Sequence, residues 1–170
     1  EVGINHVAET AHAMGIESPL DPTPAIALGS SDVTLLELVS SYGVIVNEGK
    51  HRAPVLVTRI IDREGNEVFV ASDEEKQVVP LRSAYLMQQM LMDGMREAGG
   101  TSMSMWRYVR SYQRDTDFGG KTGTSNNHSD AWLSGTTPKL VAGAWVGGEY
   151  RCIHFRTGQL GQGNRTALPV

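Results

Sequence analysis

The chain has 170 residues, a formal net charge of −4 and 40% apolar residues, enough for one domain with its own core. The acidic balance leaves no basic surface for nucleic acid, and no apolar run reaches the roughly 18 residues of a membrane helix. Cys152 is the single cysteine, which excludes an internal disulfide.

In chain order, Val7, Ala8, Ala11 and Met14 recur at helical spacing, with Gly15 as the stop. Asp21-Pro-Thr-Pro24 is loop chemistry. Thr34-Leu-Leu-Glu37 spells a capping box, in which the hydroxyl and the carboxylate satisfy free backbone donors reciprocally. Leu35, Leu38, Val39 and Tyr42 continue that helix with an apolar stripe, ending near Asn47-Glu-Gly49. Val55–Ile61 and Glu67–Val70 are rich in β-branched residues and flank Asp62–Asn66, which predicts a hairpin. Pro80 suits a first helical turn and Tyr85–Met95 supply helix formers; Gly99-Gly100 ends the segment. Met87, Met90, Met92 and Met95 read as filler of a helical core. Met103, Met105, Trp106 and Val109 predict one more short helix. Gly119–Ser125, Asp130–Gly135 and Leu140–Gly147 predict successive strands, with Thr136–Lys139 as a tight turn. The Gly-rich stretch after Arg156 reads as loop. Helices first and an antiparallel sheet afterwards make the class α+β. The chain opens on Glu1 without a methionine, shows no leader pattern and stops at Val170 without a polar tail. It is therefore expected to be a piece of a longer protein.

Residues 118–132, FGGKTGTSNNHSDAW, carry the chemistry. Gly120-Lys121-Thr122 could end a phosphate loop, but that loop needs a glycine at position 115 and a helix after the lysine. Asp115 and Asp117 would repel phosphate, and Thr122–Asn127 favour a strand and a turn. The other reading sets Lys121-Thr122-Gly123-Thr124 on a strand at the edge of a cleft. Thr122 and Thr124 then share a face, and two hydroxyls beside an ammonium suit a substrate carboxylate. Gly123 lets other backbone pack close to the strand. The Thr124 N–H is free to face a developing oxyanion. Three residues alone are a weak pattern and more often mean an exposed lysine on a turn; the neighbours change that balance.

With those neighbours the chain resembles the penicillin-binding proteins. Lys-Thr-Gly is one of three motifs of the penicillin-binding and class A β-lactamase group. Gly119–Asn127 followed by Asp130-Ala-Trp-Leu-Ser-Gly-Thr-Thr-Pro138 is similar to the motif strand and the next strand of the transpeptidase domain. Leu140–Gly147 resembles the strand after that, Ala27–Glu37 and Gly49–Pro54 the segment before the hairpin, Gly100-Thr-Ser102 a Gly-Thr-Gly turn, and Gly161–Pro169 the approach to the last helix. Nearly the whole chain is covered, most closely by the bifunctional class A proteins. The resemblance implies a β-lactamase/transpeptidase-like fold and a D,D-transpeptidase that cross-links peptidoglycan stem peptides through an acyl-serine, which β-lactams also acylate. It implies an extracytoplasmic location, in the periplasm and anchored to the cell membrane through a segment outside this chain, with no cofactor. It places Lys121 beside the serine of the second motif, Thr122, Gly123 and Thr124 around the terminal carboxylate, and the Thr124 N–H in the oxyanion hole.

The departures are as informative. No Ser-x-x-Lys occurs anywhere; Ser72 and Lys76 are four positions apart. Ser125-Asn-Asn127 spells the second motif but follows Lys-Thr-Gly-Thr directly, so it reads as a turn. Residues 1–170 are thus expected to be the C-terminal part of a transpeptidase domain, lacking the first two motifs and the last helix, and prone to self-association. A D,D-carboxypeptidase with water as acceptor, and a non-catalytic domain that binds a cell-wall or protein partner, stay open at this point. His6, His12, His51, His128 and His154 lack metal-ligand spacing. Ser125, His128 and Asp130 could be written as a triad, but triad members converge from distant segments, so His128 and Asp130 read as a solvated turn. Trp132 and Trp145 read as sheet-face packing.

Overall fold

A computed structural model describes residues 2–107, 117–158 and 161–167; Val109 and Asp115 lie outside them. Helix α1 (Ile4–Ala13) ends at Gly15, whose φ of +101° ordinary side chains avoid. Pro24–Leu28 form a 3-10 turn. Helix α2 (Leu35–Val46) opens with the full capping box. Thr34 Oγ1 accepts the Glu37 N–H at 3.2 Å, and Glu37 Oε2 accepts the Thr34 N–H at 2.8 Å. The same carboxylate accepts the N–H groups of Glu17 and Ser18, so the cap also pins the segment before it. Past α2 the chain reverses through Gly49, at φ +84°, where a Cβ would lie 2.0 Å from the Val79 carbonyl oxygen. Only glycine allows that approach.

Short antiparallel pairs follow. β1 (Lys50–His51) pairs with β4 (Lys76–Gln77), and β2 (Arg59–Ile61) with β3 (Glu67–Val70). The predicted hairpin is present, but its first strand begins at Arg59 and not at Val55. The ladder ends where its partner does: the Ala71 N–H reaches the Thr58 carbonyl, and Pro54 precedes the unpaired stretch with no N–H of its own.

Helix α3 (Leu81–Arg96) packs through Ala84, Leu91 and Met95. Met95 is fully buried, whereas Met90 is 66% exposed and Met87 is exposed as well. The methionine run is therefore not a uniform core filler. It straddles both sides of one helix, and residues 84, 91 and 95 fall on the stripe that faces inward. The Trp106 indole, on the 3-10 turn Met103–Arg107, donates to the Met95 carbonyl at 2.8 Å.

Strands β5 (Gly119–Thr124), β6 (Asp130–Thr137) and β7 (Leu140–Gly147) form an antiparallel sheet in the order β5-β6-β7. β6 runs two residues further than predicted, so Pro138-Lys139 alone make the turn; the Leu140 N–H closes it on Thr137 Oγ1 at 3.0 Å. Helices α2 and α3 cover one face. A Cβ on Gly143 would meet Val39 and Leu35 of α2, and one on Gly119 would meet Leu91 of α3. The other face carries Ala131 and Leu133, packed with Ala167, Met105 and Val146 beside the short helix α4 (Gly163–Thr166). The fold is α+β, with β5 at the outer edge of its sheet.

Candidate active site

The motif occupies that edge strand. Lys121 pairs in register with Ser134, Thr122 with Leu133, Gly123 with Trp132 and Thr124 with Ala131. Past the end of β5 the Ser125 N–H donates to the Asp130 carbonyl at 3.0 Å. Antiparallel bonding alternates, so Gly123 and Lys121 point their amides at β6, and Thr122 and Thr124 turn theirs away from it, to the outer edge. Thr122 and Thr124 share one face with Leu133 and Ala131, as alternation demands. Their surroundings differ. Thr122 is buried, with its hydroxyl 3.0 Å from that of Thr101. Thr124 is exposed, and its Oγ1 accepts the Gly163 N–H at 3.0 Å. The Lys121 ammonium is exposed on the opposite face and bonds the Thr122 carbonyl.

At Gly123 the nearest neighbour of an added side chain is the side chain of its cross-strand partner. A Cβ there would meet Trp132 Cβ at 3.1 Å, and a Cβ on Gly163 would lie 2.3 Å from the Gly123 carbonyl oxygen. Trp132 and Trp145 face each other across β6 and β7 with ring centroids 6.4 Å apart.

The β5–β6 turn is more closely knit than a solvated turn. Ser129 is buried, and its hydroxyl lies 2.8 Å from Asn127 Oδ1 and 2.6 Å from Asp130 Oδ2. Ser125 Oγ accepts the Asp130 N–H at 2.9 Å, and the Trp145 indole donates to Asp130 Oδ1 at 3.0 Å. Burial pushes the Asp130 carboxyl up, but bonds from Ser129 and Trp145, the Arg151 charge and Ser125 together hold it below the usual range. His128 sits at φ +59°, half-buried, with its carbonyl accepting the Phe155 N–H. Its Nδ1 is buried without a partner among the described residues. Ser125, His128 and Asp130 form no relay: the serine holds a backbone amide and the carboxylate holds an indole. Thr101 and Gly163 lie in segments that the resemblance marked, but their bonds to Thr122 and Thr124 were not foreseen, and neither was the burial of Ser129.

Among the described residues no His, Cys, Asp and Glu side chains gather into a metal-holding group. No helix there is long and apolar enough to cross a membrane.

Known proteins are similar to this chain in sequence and fold. The pattern of the penicillin binding protein transpeptidase domain matches residues 17–144. Penicillin-binding protein 2D of Bacillus subtilis is 32% identical over 149 residues, which is 86% of this chain and 21% of that protein. Penicillin-binding protein 1A of Aquifex aeolicus is 31% identical over 170 residues, 100% of this chain and 22% of that one. The chain thus spans about a fifth of the length of these relatives. Among solved structures, penicillin-binding protein 1A from Haemophilus influenzae superposes with a TM-score of 0.82 at 24% identity, over 98% of this chain and 29% of that one. The PonA1 protein from Mycobacterium tuberculosis, in complex with penicillin V, gives 0.78 at 24% identity, over 99% and 47%. The chain belongs to the transpeptidase domain family of the penicillin-binding proteins, with relatives of the class A type.

Proposed function

We propose that this chain supplies the carboxylate-binding and oxyanion side of a D,D-transpeptidase site, and that the nucleophilic serine comes from residues outside these 170. The observation that carries the reading is the placement of Thr124: the residue is exposed and its amide faces away from β6, at the outer edge of β5. A substrate laid along that edge meets a hydroxyl for its terminal carboxylate and an N–H for its scissile carbonyl oxygen. Lys121 adds positive charge beside the strand.

In the proposed reaction the serine oxygen attacks the carbonyl of the penultimate D-alanine of a peptidoglycan stem. The D-Ala–D-Ala C–N bond breaks, the serine proton passes to the departing amine, and an acyl-serine ester remains. An amine of a neighbouring stem attacks that ester, forms the new amide and returns the serine with its proton. The Thr124 N–H stabilises the negative oxygen of both tetrahedral intermediates. A β-lactam, whose ring amide and carboxylate imitate the stem terminus, acylates the same serine. The similarity to a protein solved with penicillin V and to penicillin-binding protein A of M. tuberculosis, solved as an imipenem acyl-enzyme complex, supports β-lactams as ligands. The working place of such an enzyme is the outer face of the bacterial cell membrane, with its anchor outside this segment.

The test is acylation of the full-length protein that carries this segment. One penicilloyl group per chain, found by intact mass and mapped to a serine of a Ser-x-x-Lys sequence, is expected. Absence of any adduct at millimolar penicillin in a folded protein overturns the reading.

A further inference from the structure

The Thr124 hydroxyl has a neighbour that comes from 39 positions away. The Gly163 N–H donates to Thr124 Oγ1 at 3.0 Å, and no other bond to that hydroxyl exists among the described residues. A hydroxyl has one proton and two lone pairs. With one lone pair held by an amide, the O–H is turned away from that amide and is left to donate outward. Thr122 differs: its hydroxyl is buried against the Thr101 hydroxyl.

Gly163 reaches this position because nothing larger fits. A Cβ there would lie 2.3 Å from the Gly123 carbonyl oxygen and 2.5 Å from the Trp132 carbonyl oxygen. The approach is fixed again upstream, where a Cβ on Gly161 would lie 2.3 Å from His128 Cβ and one on Gly158 3.2 Å from His128 Nε2. The Phe155 N–H bonds the His128 carbonyl at 3.1 Å. Residues 155–158 and 161–163 therefore lie against the β5–β6 turn and deliver one amide to the motif threonine.

We infer that Gly163 is a positioning residue: its amide fixes the Thr124 hydroxyl as an outward donor, and so sets the preference of the site for ligands with a free carboxylate. This rests on the transpeptidase reading above. A hydrogen bond to a charged group contributes enough that its loss lowers recognition by roughly tenfold or more. That loss falls only on ligands whose carboxylate is charged.

The experiment uses the full-length protein with two probes, benzylpenicillin and its uncharged methyl ester. Gly163→Ala, which pushes the segment off the strand, is expected to slow acylation by benzylpenicillin about tenfold more than acylation by the ester. Thr124→Val is expected to reproduce that selective loss, and the double variant to add little to either, since the two changes remove one bond. Equal losses on both probes would reduce Gly163 to a scaffold part and overturn the inference, as would no loss on either. Hydrogen exchange of the Gly163 amide gives an arm independent of acylation. Slow exchange in the wild type and fast exchange in Thr124→Val are expected; fast exchange in the folded wild type overturns the inference. A wild type that neither probe acylates refutes the proposed function, while the exchange arm still decides whether the bond exists.

Discussion

At the scale of single residues, the motif strand assigns its jobs by alternation. Lys121 and Gly123 fall on one face, Thr122 and Thr124 on the other, and the register with β6 settles which amides stay open. Replacing Lys121 with Ala removes a preorganised charge beside the cleft, and acylation by labelled penicillin should slow by about an order of magnitude or more. Unchanged labelling with an unchanged melting curve would take Lys121 out of the site. Gly123→Leu should abolish labelling, because even its Cβ would meet Trp132 Cβ at 3.1 Å and the longer chain must push the strand aside. The emission of Trp132 and Trp145 should shift with it, and wild-type labelling would mean that the strand lies away from the cleft. The facing of residues 121–124 could be read from the sequence because it is local and follows from a period of two. Thr101 and Gly163 could not, because they reach the motif from 21 and 39 positions away. Nothing in Gly-Thr or Gly-Asn spelling predicts such contacts.

At the scale of elements the same division holds. The capping box at Thr34 was readable because both partners lie within four residues and the bonds are made inside one turn. The start of β2 was not, because β-branched content around Val55 says nothing of where the partner strand ends. Helix α3 was readable from its formers, but not which methionines face the core, since that depends on where β5 lies. The cap also yields a pH prediction. The Thr34 backbone N–H first, then the Ser18 and Thr34 hydroxyls, hold the Glu37 carboxyl down at about 2, against an ordinary value of 4.5. A folded-state pKa below the unfolded one means stability that is fully present above 4.5 and is lost as pH falls from there towards 2. Glu37→Gln should therefore melt below the wild type at pH 7, and the gap should close progressively between pH 4.5 and 2. A gap that stays constant over that window would show that the side chain's shape, and not its charge, holds the cap.

At the scale of the whole molecule, chemistry and surface point the same way. Nucleophilic catalysis needs a serine with a base in reach, and no Ser-x-x-Lys occurs in the 170 residues. Ser125 and Ser129, in the turn that follows the motif, bond each other, Asn127 and Asp130 instead of an amine. Much apolar surface is also open. Leu86 and Met90 stand out from α3, Ile60 and Phe69 from the β2–β3 hairpin, and α1 buries none of its residues. The sheet faces do carry cover, and the Ser102 hydroxyl donates to the Gly120 carbonyl on the outer edge of β5; among the described residues what lies open is that edge at Thr124 and the outer side of α3. Unpaired edges and contiguous apolar patches of this kind recruit other chains. The 170-residue chain alone is accordingly expected to form no covalent adduct with penicillin by intact mass, and to grow in apparent mass with concentration by light scattering. Supplying in trans the part of the protein that carries Ser-x-x-Lys should suppress that growth, because it offers the same surfaces a specific partner. A stoichiometric adduct on the isolated chain would overturn the placement of the nucleophile elsewhere, and would direct attention to Ser125 and Ser129. A monomer at all concentrations would show that the open edge and the α3 stripe are too divided to hold a second copy.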